Sequence, residues 1–297
     1  MTEHLLSAVR EIALLPAEQR IARIRGDHWI GYGRAEGVLT KLEELFNSPK
    51  RIRAANMLII GPTNNGKTMI VEKFRRTHLP YESEDGAHEV IPVLVVQMPS
   101  SPTIQRFYTA IMRALGSPVI AYPSTARNEA MALKMLGVTR TKMVFIDELH
   151  NILAGSVSKQ REFLNLIRFI GNELQISIIG VGTRDAYLAI RSDDQLENRF
   201  EPVILPLWEN NSEFNRLLAS FVKILPLLKP SELLNHDIRR IILERSEGTI
   251  GEISGLLTKA ASEAIMSGKE YIDQEVLERT NYHSPSERRR LYESMVH

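Results

Sequence analysis

Gly61-Pro62-Thr63-Asn64-Asn65-Gly66-Lys67-Thr68 follows an apolar run at 56–60 and precedes Met69, Ile70, Val71 and Phe74 at helical spacing. The octet fits G-x-x-x-x-G-K-[ST] in the strand–loop–helix setting that this phosphate loop requires. Glycines let backbone N–H groups close around phosphate oxygens, and the helix N-terminus adds a positive partial charge. Lys67 supplies a cation for β- and γ-phosphates, and the Thr68 hydroxyl is a hard oxygen ligand for Mg²⁺. Residues Gly61, Pro62, Thr63, Asn64, Asn65, Gly66, Lys67, Thr68 and Met69 are therefore the candidate nucleotide contacts, with ATP and Mg²⁺ as expected cofactors. A Gly-rich turn of no function is the alternative, and the flanks weigh against it.

Outward from the loop, further short Val/Ile-rich runs read as buried strands at 93–97, 142–146, 176–181 and 203–205. Between them, Ser101 and Pro102 read as a cap and a first-turn proline. Ile104, Phe107, Tyr108, Ile111 and Leu115 follow at helical spacing. Phe163, Leu166, Ile167, Ile170 and Leu174 repeat that pattern. Strand–helix alternation of this kind predicts a parallel sheet flanked by helices. After Trp208 only helical stripes remain, and Pro202 and Pro206 flank the junction. Thr249 and Glu252 have the spacing of a capping box at the start of the third stripe. The expected fold class is α/β, a P-loop NTPase with a small helical lid.

The strand at 142–146 runs into Asp147 and Glu148, 80 residues after Lys67. Ligands gather at the C-terminal ends of parallel strands. Asp147 is expected to orient Mg²⁺ together with Thr68, and Glu148 to polarise the attacking water. The strand at 176–181 runs into Gly182 and Thr183. The Thr183 hydroxyl either positions that water or senses the γ-phosphate, or it caps the following helix. Arg199 reads as a residue projecting into a neighbour's nucleotide, or as a surface ion pair with Glu197 or Glu201. His150 reads as a supporting or surface group, because no partner ligands stand at metal-binding spacing.

The chain has 297 residues, 43% apolar and 25% charged, with a net charge of +1 and no cysteine. That excludes a disordered chain, a disulfide scaffold, thiolate zinc sites and a cysteine nucleophile. The longest apolar run, 90–96, has seven residues and contains Pro92, which is far short of a membrane span. Residues 1–15 read as an amphipathic helix rather than a signal peptide. A bacterial cytoplasmic location is expected. Near-zero charge means that any DNA contact is local and backbone-led. Candidate phosphate sites lie at two helix starts, at Ser101 and Thr103 and at Ser124, Thr125 and Arg127, where ordinary capping is the alternative. The clusters Lys50, Arg51, Arg53 and Lys73, Arg75, Arg76 read as solvated faces.

The Lys67 and Asp147-Glu148 motifs, Gly182-Thr183, Arg199-Phe200 and the helical lid resemble an AAA+ ATPase of the initiator and clamp-loader type. More narrowly, the chain resembles TniB, the ATP-binding transposition protein related to TnsC and MuB. Beyond the two motifs, the resemblance rests on Arg25-Gly26-Asp27-His28-Trp29-Ile30-Gly31-Tyr32 and on the runs 61–78, 147–155, 161–174, 180–202 and 285–290. It implies an adenine-side segment including Trp29, Ile30, Tyr32 and Arg34, and a trans-acting arginine at Arg199. Ile250 and Gly251, with Glu252, occupy the start of the third lid helix, where many relatives carry a nucleotide-reaching arginine. The implied organisation is 1–50 as an N-terminal helical segment, 51–207 as the AAA+ domain, 208–280 as the lid and 281–297 as a basic tail.

The expected function is an ATP-dependent DNA-binding regulator of transposition. It would assemble as a ring or filament on double-stranded DNA, hydrolyse ATP and recruit a DDE-type transposase, with a target-selector subunit as a further partner and no membrane. The tail, with Glu287-Arg288-Arg289-Arg290, reads as a docking segment or a flexible charged terminus. A replication initiator or helicase loader is the runner-up. A small-molecule kinase, against which Glu148 and Arg199 argue, and a scaffold holding structural ATP stand further off.

Overall fold

Short apolar runs pair in parallel to build the core of the computed structural model, which describes residues 2–26, 29–51, 53–117 and 124–296. Asp27 and His28 of the N-terminal motif lie outside the described residues. In chain order the elements are α1 (Ser7–Ala13), α2 (Ala17–Ile24), α3 (Gly33–Phe46), β1 (Asn56–Ile60), α4 (Lys67–Thr77), β2 (Tyr81–Glu82), β3 (Glu89–Val90), β4 (Val93–Gln97), α5 (Ile104–Ala114), α6 (Thr125–Val138) and β5 (Met143–Asp147). A 3-10 turn (Leu149–Ala154) leads to α7 (Val157–Leu174), β6 (Ser177–Gly182), α8 (Arg184–Arg191), α9 (Asp194–Glu197) and β7 (Phe200–Ile204). Helices complete the chain: α10 (Ser212–Ile224), α11 (His236–Ser246), α12 (Ile250–Met266), α13 (Gln274–Arg279) and α14 (Pro285–Val296).

The chain divides into two compact units. One comprises Gly37–Thr63 and Lys67–Leu205; the other comprises Met1–Glu36, Asn64–Gly66 and Pro206–His297. The first holds a five-stranded parallel sheet, among the described residues, in the order β4-β5-β6-β1-β7. Strand residues alternate between its faces. Val144 and Ile146 join a cluster with Phe107, Ile111, Phe163 and Ile167, whereas Phe145 meets Phe74 with ring centroids 5.7 Å apart. The strands expected at 142–146 and 176–181 each end one residue later, so Asp147 and Gly182 are the last residues of β5 and β6. Pro202 lies inside β7 rather than at a junction. An edge strand tolerates a residue with no N–H to donate.

Several local expectations give way to the structure. The N-cap of α5 is Thr103, not Ser101, and its hydroxyl accepts from Arg106 N at 3.2 Å. Met69 is half-buried, while Ile70, Val71 and Phe74 form the inward face of α4. Residues 1–15 contain only the short α1, with α2 beyond Pro16. Residues 285–296 of the C-terminal stretch form the helix α14.

The helical unit is tied by buried polar contacts as well as by apolar stripes. Arg20 of α2 makes a two-pronged pair with Glu270, at 2.8 and 2.6 Å. The predicted capping box is absent: Thr249 makes no side-chain cap bond, and its buried hydroxyl has no hydrogen-bond partner among the described residues. The first amides of α12 are taken by the phosphate loop instead. Gly251 N donates to Asn64 O at 3.0 Å and Ile250 N to Asn65 Oδ1 at 3.3 Å. Among the described residues, no helix is long and apolar enough to cross a membrane.

Phe145 is fully buried on the Phe74 face of the sheet. Phe145→Ala is expected to lower unfolding free energy by about 3–5 kcal/mol, the usual cost of emptying an aromatic site, measured by denaturant titration.

Candidate nucleotide-hydrolysis site

Parallel pairing delivers the ends of β1, β6 and β5 to one edge of the sheet, with β6 between the other two. At that edge α4 opens with Lys67. Its buried Nζ donates to Gly61 O at 2.8 Å and to Pro62 O at 2.6 Å, which uses two of its three N–H groups. Burial pulls the Lys67 ammonium below its ordinary range, opposed by the carboxylates of Asp147 and Glu148. Thr68 Oγ1 donates to Asp147 Oδ2 at 3.0 Å, while Asp147 Oδ1 accepts from Glu148 N at 2.8 Å. Thus the structure brings Thr68 and Asp147 together. Among the described residues, no three His, Asp or Glu side chains gather as a metal cage. A hydroxyl beside one carboxylate fits Mg²⁺, which takes its other ligands from water and substrate phosphate.

Glu148 sits at the turn out of β5 with φ of 55° in the left-handed region, a costly backbone for a non-glycine residue. Its Oε2 lies 3.2 Å from His150 Nε2. His150 therefore supports Glu148, a contact sequence reading did not locate. The Nδ1 atom of His150 is buried without a partner among the described residues, which favours the tautomer carrying its proton on Nε2, toward Glu148. Thr183 stands at the N-cap position of α8 but makes no capping bond, and its buried hydroxyl has no hydrogen-bond partner among the described residues. The capping reading of Thr183 is thereby set aside. A buried polar atom without a partner calls for a functional explanation.

Arg199 pairs with neither acid beside it. Its Nη1 donates to Asn172 Oδ1 at 2.8 Å, while Glu197 meets Arg191 and Glu201 meets Lys41. The surface ion-pair reading is replaced by a guanidinium tethered to α7. Asn172 carries no sequence signal for this role.

In the helical unit, Asn64, Asn65 and Gly66 lie against the start of α12. Gly66 has φ of +81°, and a Cβ there would stand 3.1 Å from Ile250 Cγ2. Gly251 allows a closer approach still, since its Cβ would fall 1.9 Å from Asn64 Oδ1. A side chain at 251 would have to displace the terminal amide of Asn64. Tyr32 is buried edge-on to Trp208, with centroids 5.1 Å apart, and burial pushes its phenol up to about 12. Arg34 pairs with Glu213 at 2.7 Å and lies over Trp208. Trp29 and Ile30 are half-buried. Trp208 is the member of this cluster that sequence reading left out of the site.

The candidate DNA residues Thr103, Ser124, Thr125 and Arg127 are exposed in the sheet unit. Ser124 caps α6 by accepting from Arg127 N, as Thr103 caps α5. In the basic cluster of α4, Arg75 and Arg76 both pair with Glu72.

This sheet order, with the Lys67 loop after β1, the carboxylate pair after β5 and helices completing the chain, defines an AAA+ P-loop NTPase fold. Solved structures share it. The Aeropyrum pernix Orc1 protein in complex with DNA is 18% identical, with a TM-score of 0.57 over 95% of this chain and 69% of that one. The Aeropyrum pernix Orc2 protein in ADPNP–ADP complexes is 16% identical, with a TM-score of 0.55 over 87% and 71%. Cdc6p from Pyrobaculum aerophilum is 14% identical, with a TM-score of 0.54 over 83% and 65%. No curated protein matches the chain. Residues 20–210 match the family described as Bacterial TniB protein, and the chain belongs to that family.

Removing the Thr183 hydroxyl breaks no hydrogen bond among the described residues. Thr183→Val is expected to hold unfolding free energy within about 0.5 kcal/mol of the parent while ATP turnover falls, measured by thermal denaturation beside a phosphate-release assay.

Proposed function

We propose that this TniB-family chain is an ATP-dependent regulator of transposition that assembles on duplex DNA, hydrolyses ATP and recruits a transposase. The reading is carried by the meeting of Lys67, Thr68, Asp147 and Glu148 beside the unpartnered Thr183 hydroxyl. Lys67 and the loop amides hold the β- and γ-phosphates. Thr68 and Asp147 would hold Mg²⁺, which would neutralise phosphate oxygens. The residues Trp29, Ile30, Tyr32 and Arg34 serve the adenine side, with Ile250 and Gly251 bordering the loop.

Hydrolysis follows from these placements. The water oxygen bonds to the γ-phosphorus as the bond to the β–γ bridging oxygen breaks, and ADP leaves with that electron pair. Glu148 accepts the water proton, and Thr183 orients the water or the γ-phosphate. The protein forms no covalent bond to the transferred phosphoryl group, so positioning and electrostatic stabilisation of its charge do most of the work. Arg199, tethered by Asn172 and free of the neighbouring acids, supplies positive charge to the nucleotide of the next copy. Nucleotide bound more tightly by the assembled state shifts the equilibrium toward a ring or filament.

Thr103 and Ser124 each keep an O–H to donate to DNA phosphate, alongside Thr125 and Arg127. The Orc1 relative in complex with DNA favours this reading of the fold. It equally favours a second one, a replication initiator or helicase loader, and binding to a transposase separates the two. The same reading carries a bacterial cytoplasmic location and a target selector as a further partner.

Imaging with duplex DNA and a slowly hydrolysed ATP analogue tests assembly. The wild-type protein is expected to form rings or filaments, Lys67→Ala to form none, and Glu148→Gln to assemble on ATP without turning it over. A wild-type protein that stays a monomer would overturn the reading. DNA affinity is expected to fall steeply with salt and to vary little among duplex sequences, by fluorescence anisotropy.

A further inference from the structure

Beside the phosphate loop lies a charged network that the hydrolysis chemistry does not use. Asn64, in the left-handed region at φ of 59°, donates from Nδ2 to Glu252 Oε1 at 2.9 Å. The same oxygen accepts from Arg288 Nη2 at 2.7 Å. Glu252 Oε2 meets the hydroxyl of Tyr282, which also approaches the Glu252 carbonyl at 3.2 Å. The Glu252 side chain is only 12% exposed, whereas that of Arg288 is 51% exposed. Asn64 is held at its backbone as well, through the bond from Gly251 N to its carbonyl.

We propose that Glu252 is a positioning residue for the phosphate loop, and that Arg288 of α14 is the counter-charge that lets an acid stand there. The inference rests on the reading of residues 61–68 as the ATP-binding loop. A carboxylate one hydrogen bond from such a loop repels a triphosphate unless a cation offsets it. Arg288 supplies the cation and Tyr282 orients the second oxygen, so the amide of Asn64 is anchored at little electrostatic cost. Burial opposes ionisation of Glu252, yet the hydrogen bonds from Tyr282, Arg288 and Asn64 hold its carboxyl below the usual range. The C-terminal helix thereby becomes part of the apparatus that shapes the loop, with Gly251 packed against the Asn64 amide.

The test is ATP affinity by equilibrium binding on the full chain, with thermal denaturation to check the fold. Arg288→Ala is expected to weaken ATP binding about threefold to tenfold by leaving Glu252 uncompensated, with the melting transition retained. Adding Glu252→Gln to Arg288→Ala is expected to restore affinity to within about twofold of wild type, since glutamine still accepts from Asn64 but carries no charge. A purely structural role for the pair would give no such rescue. ATP binding by Arg288→Ala equal to wild type, or a double variant no better than the single one, would overturn the proposal. Lys67→Ala separates the two levels. If it binds ATP as the wild type does, or if the wild type binds none, the loop reading fails and takes this inference with it. If Lys67→Ala loses ATP while Arg288→Ala binds it as the wild type does, the loop reading stands and only the inference about Glu252 and Arg288 fails.

Discussion

Parallel pairing of β1, β6 and β5 is the constraint on which the site depends. Parallel strands send their chain exits to the same edge, so three segments far apart in sequence leave the sheet side by side. The loop of Lys67 follows β1, Thr183 follows β6, and Asp147 and Glu148 follow β5. Because β6 runs between the other two, Thr183 leaves the sheet between the exits of β1 and β5. Its failure to hydrogen-bond within the described residues is a cost that a structural role does not explain.

The phosphate loop answers to more than one set of neighbours. Within the sheet unit, Lys67 binds back onto Gly61 O and Pro62 O, a geometry that keeps a buried ammonium paired. Within the helical unit, Asn64 and Asn65 supply the acceptors for the first amides of α12. Helix starts leave orphan donors that some group must satisfy. Here the loop does so, which frees Glu252 from capping and turns it toward Asn64, Tyr282 and Arg288.

Much of the fold was legible because its signals are local. The alternation of short Val/Ile runs with 3.6-period stripes gave the parallel sheet and its helices, and strand ends were off by a single residue at β5 and β6. Errors arose where two local signals competed. Ser101 and Thr103 both qualify as caps, and only the path of the chain into α5 chose the second. Thr249 and Glu252 have ideal capping-box spacing, but spacing says nothing of an asparagine pair arriving from elsewhere.

The sequence by itself determined the nucleotide motif, the carboxylates after β5 and the class of fold, because each rests on contiguous residues whose backbone geometry is local. Tertiary structure alone decided that Thr183 is unpartnered, that Arg199 leans on Asn172 and that Glu252 joins Asn64 to Arg288. Those outcomes turn on contacts between residues as much as 188 positions apart. Hydrogen-bond partners at such separations are set by how the elements pack, and no local pattern encodes them.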